Sequence, residues 1–512
     1  GQYCHIGLIK AVEEIVKKRR KASQKIDDVK LFINIDGAPI GNSTEKGLWP
    51  ILCTDDTELC QVKVIEIYYS AGKPENANDY LRAFTDEAVT LVRNGYQFDG
   101  QIIKVTISAF ICDSPAKAFI LNVKHYTGYN SYTKCTIEEN YIRNRTCFPT
   151  LNYASLRQDD KFKNFDYEDY QHGETILKKI PNLNLVSNIA LDSMHLVYLG
   201  VRRRLIILWM QNGPLNVRLS YMQVIEISNK LKDFMKILPD GFAKRSRPLK
   251  YWKQWKAIDK EEGHLGYLPC EYRHFLFYLG PVLLKHILPS NVYKHFLMLH
   301  IAITILNNPS LILLEYNLSL ADKLLRKFVL KCFDIYGPEN VTYNIHNLIH
   351  LTDEVRFFKN TLDSFSSFIF ESYICSLKRL LRKGETPLQQ IARRLEEFDD
   401  QDLDDVSIKS IYSMQFEKCH YGNEFINLRK YDAQYMVLRT PKYLINCMDN
   451  KNDCVLLKDG SVINVCSFAT YNSTAYVIGR KLEPEETLYD KPVLSNSLDI
   501  KVMKDTSYLC NE

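Results

Sequence analysis

Two apolar, β-branched runs each end on an aspartate: LFINI (residues 31–35) before Asp36, and VTISAFIC (105–112) before Asp113. A short run of this kind reads as a core strand, so both acids fall where a strand leaves the core. Between them, VKVIEIYY alternates in the strand manner, with Val62 and Val64 opposite Ile65 and Ile67. NANDYLRAFTDEAVTLVRNG reads as a helix with an Asn or Asp cap and Gly95 at its end. Ile103, Val105, Ile107, Ala109 and Ile111 are expected to share one face of the second acid-bearing strand.

The texture then changes. Residues 126–195 are loop-rich and end in LVSNIALDSMH, and from about 196 to 360 nearly everything has helical period, as in YMQVIEISNKLKDFMKIL and SLADKLLRKFVLKCFDIYG. A further helical segment spans 371–398. Strand texture returns up to 512 in AQYMVLRT, CVLLKDGSVINVCSFATY and AYVIGRKL, with a turn at Asp459-Gly460. We therefore expect a basic helical lead-in (1–27), the first part of an α/β core (28–195), an all-α insertion (196–345), a returning core helix region (346–400) and a small β-barrel-like domain (401–512). A strand–helix–strand start, a long helical block and a late helix make sense as one α/β domain interrupted by a helical insertion.

Composition excludes little. Hydrophobic residues make up 46% and charged residues 25% of 512, ordinary for a globular chain. The richest apolar stretch, LILLEYNLSL, is broken by Glu315, far short of the ~20 residues a membrane span needs. The 14 cysteines are scattered and none forms a C-x-x-C pair, which suggests reduced thiols, mostly small buried hydrophobes. The chain opens on Gly1 with no signal peptide, and upstream residues are expected to precede it. Net charge is only +5, but cations cluster at 17–21, 202–204 and 378–383. The first cluster reads either as an import signal or phosphate patch, or as a solvated helix face.

Hydrolysis of a phosphodiester asks for two hard divalent ions held by carboxylates that can lie far apart in the chain. Asp36 and Asp113 suit that demand. So does Glu371 in FIFESYICSLKRLLRK, where Glu371, Cys375, Lys378 and Arg382 share one helical face and Tyr373, Ile374, Leu377, Leu380 and Leu381 fill the other. Each acid also has a plainer reading: Asp36-Gly37 as a turn, Asp113 as the cap of SPAKAF, and Glu371 as a surface acid paired with Lys378.

The residues around the acids carry a resemblance. INIDGAPIGNSTEKGLWPIL, ISAFICDSPAKAF, GYNSYTKC with NRTCFP, IALDSMHLVYLGVRRRL, LPCEYRHFLFYLGPVLLKHIL with HFLMLHIAITIL, and YNIHNLIHL with LDSFSSFIFESYICSLKRLLRKGETPLQQIARRL resemble, in order, the CACTA (En/Spm) group of DDE transposases, over roughly residues 1–400. That resemblance implies an RNase H-like core split by a large all-α insertion, with Asp36, Asp113 and Glu371 as catalytic, metal-binding acids. It implies two Mg²⁺ or Mn²⁺ ions, double-stranded DNA at transposon ends and targets as partner, a homo-oligomer, no membrane and a nuclear location. Asp192-Ser193-Met194-His195 is similar to a D-x-x-H signature of such transposases. Asp192 thereby competes with Asp113 for second-acid status, which we assign to Asp113; a buried His195 bonded to Asp192 is a structural alternative. Relatives carry a Cys pair where this chain has Tyr132 and Cys135, so Cys135, Cys147 and His195 are the candidates for a remnant Zn²⁺ site.

Lys378 and Arg382, and Lys244, Arg245 and Arg247 in KRSRPLKYWKQWKA (244–257), are candidate DNA contacts, the last group beside Tyr251, Trp252 and Trp255. Aromatics packed under Lys stems are the competing reading. His346 and His350, four apart but without a third ligand in view, read as core or interface residues, or as DNA contacts near the acids. Three functions follow: a DDE transposase cutting and joining strands, a domesticated or decayed relative that binds DNA or chromatin without cutting, and a structure-specific nuclease.

Overall fold

LFINI becomes the middle of a sheet because both of its faces are covered. In the computed structural model, which describes all residues but 41–45, 58–60, 149–153, 240–248, 250–268, 383–385, 403–413, 421–432, 441–442, 450, 473 and 512, the chain divides into two compact units. One comprises Gly1–Arg218 with Met298–Asp400, the other Leu219–Leu297 with Gln401–Glu512.

The first unit is built on β1 (Gln2–His5), β2 (Asp28–Ile35), β3 (Gly47–Asp55), β4 (Lys63–Ser70), β5 (Gln101–Cys112) and β6 (Ile189–Leu191). They lie side by side in the order β1-β4-β3-β2-β5-β6, with the short strands Ala38–Pro39 and Tyr96–Phe98 on β3 and β5. β3 runs antiparallel to β2 and β4, and β1 antiparallel to β4. β5 is parallel to β2, and β6 to β5. Parallel strands sit between covering layers. Accordingly β5 alternates only at its start, and from Ala109 to Cys112 it is buried on both faces.

Three helices of this unit follow from capping and period. α1 (Leu8–Lys21) buries Leu8, Ala11, Val12, Ile15 and Val16, each worth up to about 1.5–3 kcal/mol when fully removed from water, less for the alanine. α2 (Arg82–Asn94) stops at Gly95, whose φ is +70° and whose added Cβ would lie 2.7 Å from the Ile103 carbonyl oxygen. α3 (Ser114–Leu121) opens on Asp113 and Pro115.

Two expectations change here. Residues 1–27 form no separate lead-in: β1 extends the sheet and α1 packs into its core. The basic run 17–21 is not wholly solvated either, since Arg19 is 9% exposed and bonds the Asp28 carbonyl at 2.9 Å. Cations in a last turn also suit the helix dipole. Likewise Arg202 is fully buried with its guanidinium over Trp209, and Arg204 bonds Asn340, so the 202–204 run is drawn inward. In β4, Glu66 is buried against Tyr3 and His5 of β1, an edge pairing the alternation of VKVIEIYY does not reveal.

Further along come α4 (Glu315–Tyr336), α5 (Leu351–Phe358) and α6 (Phe368–Arg379). In the second unit, helix Tyr221–Phe234 starts on a Ser220–Gln223 capping box. The expected C-terminal strands form a seven-stranded antiparallel sheet from Gln415–His420 to Lys501–Asn511, around Leu438, Ile463, Val465 and Phe468. Gly460, with φ +85°, makes the turn after Asp459. The middle of the helical block thus groups with the C-terminal sheet rather than with the first unit. No helix among the described residues is long and apolar enough to cross a membrane.

Candidate active site

All three parallel strands run out on an aspartate: β2 on Asp36, β5 on Asp113 and β6 on Asp192. The register that pairs Asn34 with Ile111, and Leu191 with Cys112, brings these strand ends level. Asn34 ties the first two together behind the acids, donating to the Ile111 carbonyl at 2.7 Å. Carboxyl ends of parallel strands are where open α/β sheets present ligand sites, because the chain leaves the sheet there and side chains face a crevice.

The three aspartates are put to different uses. Asp36 Oδ1 accepts from its neighbour Gly37 N–H, at 2.7 Å. Asp113 caps α3, its Oδ1 accepting from Ala116 N–H at 2.7 Å, while Oδ2 accepts nothing among the described residues. The cap reading of Asp113 therefore holds without consuming its second oxygen. Asp192 is saturated. Oδ1 accepts from Met194 N–H (3.1 Å) and Ser367 N–H (2.9 Å), and Oδ2 from His195 N–H (3.3 Å) and His195 Nδ1 (2.5 Å). An aspartate so committed orients its neighbours, and Asp113 is the better placed to offer a free oxygen.

Those neighbours matter. His195 stands in the π-type turns of Met194–Arg202, a rare geometry that tends to mark functional positions. Ser367 precedes α6, which carries Glu371 in its first turn. Asp192 thus holds the imidazole and the start of the Glu371 helix together. His195 Nε2 lies 3.9 Å from Glu371 Oε1, and one ligand atom from each of Asp36, His195 and Glu371 falls within 4.8 Å of the others.

The electrostatics follow from crowding. Burial, then the charges of Asp113 and Glu371 and a hydrogen bond with Glu371, push the Asp36 carboxyl well above its ordinary range. Burial also raises Asp113, against the pull of Ala116 N–H and His195. Burial alone would lower His195, but the Asp192 bond and charge, with Asp36 and Asp113, raise it to about 9. Burial opposes ionisation of Asp192 as well, yet His195 and Ser367 keep its carboxyl below the usual value. The imidazolium acts as the cation of a carboxylate cluster. The carboxylate oxygens of Asp36 and Glu371 are the donors a hard divalent ion takes, and such an ion would relieve the same repulsion.

A pH dependence follows. The folded pKa of His195, about 9, lies above the ~6.5 of an unfolded histidine. Its contribution to stability is therefore complete below about 6.5 and disappears as pH rises through about 9. In metal-free protein the imidazole proton resonances should titrate near 9, Mg²⁺ should move that midpoint down, and melting temperature should fall between pH 7 and 9.5 more steeply than in His195→Gln. A midpoint near 6.5 indifferent to Mg²⁺ would show that the carboxylates do not act on this ring.

Of the other expected site residues, Lys378 stays on α6 two turns from Glu371, whereas Arg382 lies past its end with its N–H on Gln390 Oε1 at 3.1 Å. The expected four-residue face is thus cut short, because α6 closes at Leu380. Lys244, Arg245 and Arg247, with Tyr251, Trp252 and Trp255, lie outside the described residues. The zinc candidates are not brought together as expected. His195 is engaged by Asp192, and Cys147 Sγ faces the Glu339 carbonyl at 3.3 Å. Cys135 lies instead with His346 and His350, which are buried and not free for DNA. Sequence reasoning missed Lys117, buried in α3 with its Nζ on the Ala190 carbonyl at 3.0 Å, and the Lys134–Glu354 pair at 2.5 Å. A lysine inside the apolar string SPAKAFIL was the available signal for the first.

A family model described as Domain of unknown function (DUF8592) matches residues 406–511, the stretch that holds the C-terminal sheet. None of the curated proteins matches the chain.

Proposed function

We propose that this chain is the catalytic core of a DDE-type DNA transposase, similar to the CACTA group, acting in the nucleus on double-stranded DNA as a homo-oligomer. The observation that carries this reading is the meeting of Asp36 and Glu371 within 4.8 Å of each other, with Asp113 close enough to raise Asp36. The antiparallel run β2, β3 and β4, with β1 added at its edge, followed by β5 and β6 parallel to β2, with acids at the ends of adjacent parallel strands and a third on a later helix, supports an RNase H-like core.

In this reading Asp36, Asp113 through Oδ2, and Glu371 would hold two Mg²⁺ or Mn²⁺ ions. Such ions, when bound, supply activation of the attacking oxygen and stabilisation of the leaving one. A water oxygen then replaces the bridging 3′-oxygen on phosphorus at the transposon end, leaving a 3′-hydroxyl. In joining, that hydroxyl oxygen displaces the 3′-oxygen of a target phosphodiester. Asp192 fixes the His195 ring so that Nε2 faces the acids and carries a proton at neutral pH. Lys378, on the Glu371 helix, is suited to a backbone phosphate.

The test is cleavage, in Mn²⁺, of labelled DNA carrying the terminal repeat of the flanking element, comparing the chain with Asp113→Asn. Cutting that vanishes in the variant is expected. Cutting by both forms would remove Asp113 from the site, and binding without cutting by either would point to a transposase-derived DNA- or chromatin-binding protein.

A further inference from the structure

The helix that opens on Asp113 also forms the wall of a cleft. Pro115, Phe119 and Asn122, on one side of α3, line a hollow of about 410 Å³ between α3 and the helical turn Ala77–Tyr80. Small-ligand clefts run from roughly 300 to 1,000 Å³. Phe119 lies beyond Asp113 by about 9 Å along the helix axis. The wall continues toward the first acid. The Trp49 ring meets Phe119 edge-on with centroids 5.7 Å apart. It also lies so close to Gly37, the residue after Asp36, that a Cβ there would be 2.8 Å from Trp49 Cζ2. The cleft thus stands beside the acids and shares none of them.

The groups around it differ in kind. Lys73 and Glu75 supply one charge of each sign, Asn76 and Asn122 amides, and Phe119 a half-buried ring. Lys73 Nζ stands over that ring, 5.3 Å from its centroid, and among the described residues no carboxylate holds it there. Asn122 closes α3 in a left-handed conformation, with φ 54°. Its backbone carbonyl accepts His172 N–H at 2.9 Å, while its side-chain amide has no hydrogen-bond partner among the described residues. Asn76 Oδ1 accepts from Asn78 and Asp79 N–H at 2.8 and 3.2 Å, which leaves the NH₂ of that amide without a partner among the described residues.

This mixture narrows the ligand. A bare phosphate would engage the ammonium and leave the ring and amides idle. An apolar molecule would desolvate the amides and charges with nothing to replace water. A nucleotide matches all of them: a flat face for the ring, donors and acceptors along the base edge for the amides, and a phosphate for the ammonium. Bases within a duplex are stacked and offer no open face, so the occupant has to be unpaired.

We propose that this cleft holds one unpaired nucleotide of the DNA strand, beside the phosphate that the acids cut, an inference that rests on the proposed function. The base lies on Phe119 with its edge toward Asn76 and Asn122. Lys73 swings on its flexible stem from the ring to the phosphate. No bond is made or broken in the cleft; it holds the strand apart from its complement next to the cut.

The experiment titrates fluorescent DNA with the full chain in the absence of divalent ions and reads anisotropy. A blunt duplex is compared with the same duplex carrying a short single-stranded overhang. The overhang should bind about 10-fold more tightly, the size of one base–aromatic stack. Phe119→Ala should erase most of that preference, and Lys73→Gln should reduce it and flatten its dependence on salt. Equal affinity of the wild-type chain for the two DNAs would overturn the proposal, as would a preference that both variants keep. If Phe119→Ala does not fold, Lys73→Gln and Asn122→Gly decide, because glycine accepts the left-handed backbone and removes only the amide; an unaltered preference in both overturns the cleft. Tighter binding of a free deoxynucleoside monophosphate than of the overhang would likewise overturn the assignment to a strand. Cleavage is scored separately in Mn²⁺. Cutting without overhang preference would overturn the cleft and leave the proposed function standing, whereas preference without cutting would support the cleft and sink the cleavage reading.

Discussion

Exchanging Asp36 for Asn is expected to cut metal-dependent strand cleavage by about 10³-fold or more and, in the metal-free protein, to raise thermal stability. The two effects share one origin. Burial and the nearby charges of Asp113 and Glu371 hold the Asp36 carboxyl far above its ordinary pKa. An amide at that place keeps the shape and removes the repulsion, a gain on the order of 1 kcal/mol at the effective dielectric of a partly open site. On the proposed function the same exchange removes a divalent-ion ligand, so stabilisation by Mn²⁺, about 2.7 kcal/mol at 100 times the dissociation constant, should largely vanish. Differential scanning calorimetry with and without Mn²⁺ reads both. A less stable Asp36→Asn that Mn²⁺ still protects would mean that residue 36 is an ordinary turn aspartate.

Glu354→Ala is expected to cost about 3–5 kcal/mol of folding stability, because it breaks a buried pair and leaves its cations behind. Lys134 and Glu354 are 8% and 6% exposed and meet at 2.5 Å. The other Glu354 oxygen accepts Leu191 N–H at 2.8 Å, which secures β6 just before Asp192. Lys134 Nζ also donates to the Val186 carbonyl at 2.9 Å. Burial already lowers the pKa of both Lys134 and Lys117, and Glu354 is the group that most opposes this. Removing both charges should be far milder: Lys134→Met with Glu354→Leu is expected to recover most of the loss. Urea denaturation of the two single variants and the pair separates the outcomes. A single variant that costs less than about 1 kcal/mol would mean that water reaches Lys134.

What could be read from residues alone was what local pattern encodes. Asp36 and Asp113 stood out because an apolar run has to be a strand and a strand end has to go somewhere. The helical stretch from Ala77 to Asn94, broken at Leu81 into two helices, was readable from Asn76 at its start and Gly95 at its end. Glu371 needed the resemblance, since one acid on an amphipathic helix is otherwise unremarked. Long-range partnerships stayed hidden. His346 and His350 have helical spacing, but their third partner, Cys135, is two hundred residues away. Lys134 and Glu354 each look like a surface charge until they meet. Arg202 sits in a run of three cations, the pattern of a solvated face, yet is buried over Trp209. Charge runs report composition, whereas burial is decided by the element packed opposite.

The distance in sequence between Asp113 and Glu371 also sets an order of events during synthesis. Roughly 260 residues separate them, so at about 5–20 residues per second Asp113 leaves the ribosome about 13–52 s before Glu371, and Asp36 earlier still. The sheet that carries the aspartates is complete in sequence once Leu191 has emerged, but the acidic cluster is not. Nascent chains, and chains ended early by a frameshift or a stop before residue 371, therefore lack the third carboxylate. They also lack the Ser367 N–H that helps hold Asp192 and His195 in place. The acidic cluster is complete only when translation is well advanced.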